Sequence, residues 1–150
     1  MIRAALLAAA LTLPLSVQAQ DGADLLYSMM PAPLDGWTSA QSPDAEGMAD
    51  MFGGLVAVQD YTGPGASFLL TYMADNNMAN GMARQFDRPD QLEGLGEVTE
   101  IDGFLFLQQD DTVTGAVGAL LIQSSGTFDA TPVYDHLRTL DLSEIADMMQ

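Results

Sequence analysis

The chain has 150 residues, 21 acidic side chains, four arginines and no lysine, for a net charge of −17. A phosphate backbone or an anionic lipid surface is bound through clustered Lys and Arg, so nucleic-acid binding is excluded. With 48 % hydrophobic residues it is too apolar to stay disordered, and without cysteine it has neither a disulfide nor a thiol nucleophile.

Residues 1–19 have the build of a secretory signal peptide. Arg3 is the positive start, Ala4 to Leu15 the apolar stretch, and Val17-Gln18-Ala19 a small-residue cleavage motif. The apolar stretch is shorter than the roughly 20 residues of a membrane span. Pro14, Ser16, Gln18 and Gln20 end it. The expectation is cleavage after Ala19 and a soluble periplasmic or secreted protein with no membrane insertion. Residues 20–150 then form a single domain, with Arg84, Arg88 and Arg138 as its fixed cations.

Leu25, Leu26, Met29 and Met30 make a short helical pattern that Pro31 stops. In SAQSPDAEGMADMFGG, Ser42 suits a cap, Pro43 the first helical position and Gly53 the exit. Met48, Met51, Phe52 and Leu55 fall on one helix face at i, i+3, i+4, i+7. Leu55 to Thr62 and Ala66 to Met73 read as strands joined by Gly63-Pro64-Gly65. Met78, Met82 and Phe86 return to helical spacing, and residues 87–96 read as a loop. Asp102-Gly103 is a type I′ hairpin pair between two strands, DDTVTG reads as a turn, and Ala116 to Ser124 as one more strand. Thr131-Pro132 opens a helix with Val133, Leu137 and Leu140 on one stripe. Asp141 to Glu144 has capping-box spacing for a last helix.

Hairpin-joined strands interrupted by helices predict an α+β fold, a two-layer domain with an antiparallel sheet of about five strands and packed helices. GLVAV, FLL, FLFL and GALLI are apolar at successive positions. Both faces of the sheet centre are therefore expected to be covered, by helices or by a second copy of the chain.

Candidate chemistry is sparse. Met48 and Met51 could offer thioethers to Cu(I), although their stripe continues into Phe52 and Leu55 as a core face does. Asp87, Asp90, Glu93 and Glu97, with Asp110 and Asp111, offer oxygen ligands to Ca²⁺ without the twelve-residue loop spacing. Arg84 and Arg88, one helical turn apart, could take a small anion or an acidic partner group, or pair with Asp87 or Asp90. Trp37 reads as a core or pocket-wall aromatic, or a ligand platform. His136 is the single histidine and reads as a surface or boundary residue, and there is no Gly-x-Ser-x-Gly elbow. The composite expectation is an exported, non-catalytic binding or accessory protein without a cofactor, acting on a protein partner or as a homo-oligomer. The competing expectation is a periplasmic ion-handling protein, using methionines for Cu(I) or carboxylates for Ca²⁺.

Overall fold

The computed structural model describes residues 15–150, with side chains from Asp21 onward. The apolar core of the expected leader lies outside the described residues, and its cleavage motif falls within the first helix, α1 (Leu15–Ser28). Among the described residues no helix is long and apolar enough to cross a membrane.

The order of elements continues with β1 (Thr38–Gln41), α2 (Asp44–Phe52), β2 (Leu55–Gly63), β3 (Ala66–Ala74), α3 (Asn77–Phe86) and α4 (Pro89–Leu92). Then come β4 (Glu97–Ile101), β5 (Phe104–Gln109), β6 (Thr112–Val117), β7 (Leu120–Ser125), α5 (Thr131–Leu137) and α6 (Leu142–Met148). The fold is α+β, built on one antiparallel sheet in the order β1-β2-β3-β7-β6-β5-β4. Two meanders are joined where β7 pairs with β3, Tyr72 facing Ile122. The link from β3, mid-sheet, to β4 at the far edge has to pass β7, β6 and β5, and α3 makes that crossing.

Seven strands replace the expected five or so. β1, with the sequence TSAQ, has almost no strand-forming pattern and exists because it pairs with β2. β6 occupies the stretch expected to be a turn, and β7 the rest of the Ala116–Ser124 run. Gly115, which suggests a turn, is in fact a strand residue. A Cβ there would come within 2.4 Å of the Phe106 ring facing it across the β5–β6 pair. The expected turn is confined to Asp110-Asp111, with Asp110 at φ 52°, and the chain reverses again at Gly118, with φ +59°. The other turns form as the sequence implies: Asp102 (φ 51°) and Gly103 (φ 83°) hold the β4–β5 hairpin in the left-handed conformation of a type I′ turn. The segment expected to be only loop contains α4, which buries Leu92.

Alternation along the strands builds two apolar layers. Ala57, Tyr61, Phe68, Leu70, Tyr72, Leu120 and Ile122 face α1, α5 and α6, which add Leu26, Val133, Leu137, Leu142 and Ile145, with Met29 just past the end of α1. Val56, Val58, Met73 and Leu121 face the other way, onto α2 and α3. Helices therefore lie against both faces of the sheet centre, which requires no second copy to be covered. Where β1 ends, Val58 still has an unpaired backbone edge. The Ser42 N–H and the Tyr27 hydroxyl both donate to its carbonyl, and the hydroxyl also accepts from its N–H.

Helix starts follow local chemistry. The Asp141 carboxylate accepts the Glu144 N–H at 2.9 Å, and Ser42 Oγ accepts the Asp44 N–H. Asp129 accepts the Thr131 N–H, and its hydrogen bonding to Thr131 holds its carboxyl below the usual range. The sheet edges are the four-residue β1 and β4, whose sequence EVTEI keeps Glu97 and Glu100 exposed.

Candidate functional site

The layer under α2 and α3 differs in composition from the main core. α2 supplies Ala45, Met48 and Ala49; α3 supplies Met78, Ala79 and Met82; β3 supplies Met73. Helix-borne bulk in this layer is methionine alone. No residue of α2 is fully buried and only Ala79 of α3 is. Both helices carry a mid-helix glycine, Gly47 and Gly81, which lowers their intrinsic stability. They are held at one corner by Asn76. Its Oδ1 accepts the Ala79 N–H at 2.7 Å and caps α3, while its Nδ2 donates to the Gly53 carbonyl at the end of α2.

α2 is turned from its expected orientation. Its inner face is Ala45–Met48–Ala49, and Met51 and Phe52 point outward, 75 % and 37 % exposed. The reason lies in the exit. Gly53 and Gly54 both have φ near +70° and swing the chain straight into β2. A Cβ on Gly54 would lie 2.4 Å from the Ala74 carbonyl oxygen. Leu55 is therefore a strand residue and cannot extend the helix stripe. Met48 and Met51 are not brought together, since one packs inward and the other faces solvent. The stripe in α3 forms as read, with Met78, Met82 and Phe86 half-buried.

Around Met51 and Phe52 the surface is acidic. Asp44, Glu46 and Asp50 lie exposed on the same helix, and Asp75 lies exposed beside Asn76. The cations are elsewhere. Arg84 and Arg88 flank an open depression of about 460 Å³ at the α3–α4 corner, with Gln85, Asp87 and Gln91. Neither forms the expected bridge to Asp87 or Asp90: Arg138–Asp135, at 3.2 Å, is the single ion pair among the described residues.

Trp37 lies on the opposite face of the sheet from the arginines. Its ring is tilted against Phe68 at 5.7 Å, and it rests on Gly63, whose Cβ would approach the indole to 2.2 Å. His136, expected near the surface, is 0 % exposed. Trp37, Tyr61 and Phe68 surround it with ring centroids 5.0–5.3 Å away. Nε2 accepts the Leu34 N–H at 3.2 Å, so Nδ1 carries the proton and donates to the Pro132 carbonyl at 2.7 Å. Both nitrogens are committed to backbone, and the loop carrying Leu34 and Trp37 closes over the ring. That closure, which depends on residues 100 positions away, is what the helical stripe alone fails to reveal.

Among the described residues no group of three or more His, Asp or Glu side chains is placed to share a metal ion. The grouping that sequence spacing misses is Met73 with Met48, Met78 and Met82. Its only signal is strand alternation, which sets Met73 on the face of Val56 and Val58. No family model, curated protein or solved structure matches the chain.

Proposed function

We propose that this chain is an exported, non-catalytic binding protein that takes a basic amphipathic segment of a partner on the acidic corner formed by α2 and the start of α3. One observation carries the reading. Met51 and Phe52, adjacent and exposed, stand on a helix that also displays Asp44, Glu46 and Asp50. Neighbouring exposed apolar side chains provide anchors, and the thioether adapts to differently shaped partners. The surrounding carboxylates, on a chain of net charge −17, select a cationic partner and speed its approach. A segment with Lys or Arg on one helical face and Leu on the other complements both features. Export is supported by the leader-like residues 1–19.

The test is fluorescence anisotropy with a labelled Lys/Leu amphipathic peptide of about 18 residues, five helical turns, and a scrambled peptide of the same composition. The amphipathic peptide is expected to bind, to weaken as salt rises, and to lose most of its affinity for M51S/F52S. Met51 is solvent-facing but Phe52 is only 37 % exposed, so M51S is measured beside the double variant and should weaken binding with the melting temperature unchanged. Equal binding of the scrambled peptide, or undiminished binding to the double variant, would refute the reading.

A further inference from the structure

We infer that Met48, Met73, Met78 and Met82 form a thioether site for a soft monovalent cation, Cu(I), with Ag(I) as its redox-stable analogue. The four share one apolar layer: Met48 from the inner face of α2, Met78 and Met82 from two successive turns of α3, and Met73 from the face of β3. The opposite layer shows how this chain fills a core when packing alone decides: its helices use Leu, Val, Ile and Tyr. Here the helix residues packed on the buried cluster are only methionine and alanine, with Phe86 half-buried farther along the α3 stripe. Methionine loses more rotamer freedom on ordering than leucine does, and it has no better helix propensity, so four in one small layer are a poor choice for packing alone. The thioether is, however, the one soft neutral donor available to a chain without cysteine.

The surroundings fix the class of ion. Among the described residues no group of three or more His, Asp or Glu is placed to share an ion, so Ca²⁺, Mg²⁺ and Zn²⁺ lack the donor sets they need. Four uncharged ligands suit a single positive charge, and the acidic chain draws cations toward it. Met48, Met78 and Met82 are half-buried, which leaves a way in from solvent, while Met73 is fully buried and forms the floor. Met51, facing outward, is not a member. The inference uses the inner faces of α2 and α3 and does not depend on the peptide-binding corner. Ion binding without peptide binding would leave it standing.

The experiment is anaerobic titration of the full protein with Ag(I), and with Cu(I) held by a competing chelator. It follows the melting temperature and the methionine methyl signals in a ¹H–¹³C spectrum. One equivalent is expected to raise the melting temperature, since the ion binds the native state. It should also shift the methyls of Met48, Met73, Met78 and Met82 while leaving Met29, Met30, Met51 and Met148 in place. M48L/M78L/M82L conserves volume and so should fold, yet lose the response. M78L alone should weaken binding about tenfold or more, in line with the loss seen even for outer ligands of a metal site. M51L should bind as wild type. Absence of a melting shift and of methyl shifts, a full response from the triple variant, or loss of binding in M51L would overturn the assignment. Should the triple variant fail to fold, the wild-type methyl map and M78L decide.

Discussion

Three buried phenols show how single residues set the conditions under which this molecule holds together. The Tyr61 hydroxyl donates to the Pro31 carbonyl at 2.6 Å and that of Tyr72 to the Met29 carbonyl, so together they pin the segment leaving α1 to the sheet. Burial raises the pKa of both, that of Tyr72 with a further contribution from neighbouring Tyr61; burial also raises that of Tyr134, whose hydroxyl sits beside Thr99 without a well-formed hydrogen bond. An unfolded phenol ionises near pH 10. Because the folded values lie higher, the phenols' contribution is complete below about pH 10 and is lost as pH rises toward the folded values, where only the unfolded chain releases protons. Stability measured by urea titration should be level from about pH 7 to 9.5 and fall above 10. The fall should approach about 1.4 kcal/mol per pH unit for each fully protected phenol. Y72F should show a shallower fall than wild type, and an unchanged alkaline slope would contradict this account. Little of it is legible from sequence: Tyr61 and Tyr72 are visible as strand residues, but what their hydroxyls reach depends on where α1 is laid down.

Among the elements, α2 and α3 are the most lightly docked, and one side chain holds their shared corner. Asn76→Ala removes both the α3 cap and the tie to Gly53. Losing the cap costs about 1 kcal/mol and losing the tie about another 1. Hydrogen exchange should show the loss confined to amides of α2 and α3, with β2, β3 and β7 still protected. Asn76→Asp, which keeps the cap and loses the donor, should lie between. If exchange instead rose uniformly, the two helices would not be a separate unit. Elements were readable wherever their signal was local. Gly63-Pro64-Gly65, Asp102-Gly103 and the Asp141 cap each settle a turn or a helix start within a few residues. β1 and β6 were not, because TSAQ is a strand only through its partner and Gly115 is a strand residue only because Phe106 packs across it. The rotation of α2, which decides that Met48 and not Met51 faces the sheet, follows from a turn at Gly53 and Gly54 that no helical periodicity contains.

At the scale of the whole molecule, successive apolar residues in GLVAV, FLFL and GALLI foretold a sheet covered on both faces, and two layers of helices provide the cover. Which helices go to which face was not foretold, since that depends on the β3-to-β4 crossing. The same holds for the candidate site. Its individual methionines stand out in the sequence, whereas their grouping appears only once β3 is in register. The proposed export concerns the entire chain and has its own check. Mass spectrometry of protein recovered from outside the cytoplasm should give a chain beginning at Gln20, and a retained Met1 there would argue against the leader. The short, polar β1 and the glutamate-bearing β4 have a consequence for crowding. A bare strand margin normally invites another chain to zip onto it. Here one margin is too brief to template an addition, and the other sets like charges against any copy of itself. Ribbon-like growth from molecule to molecule is thereby disfavoured.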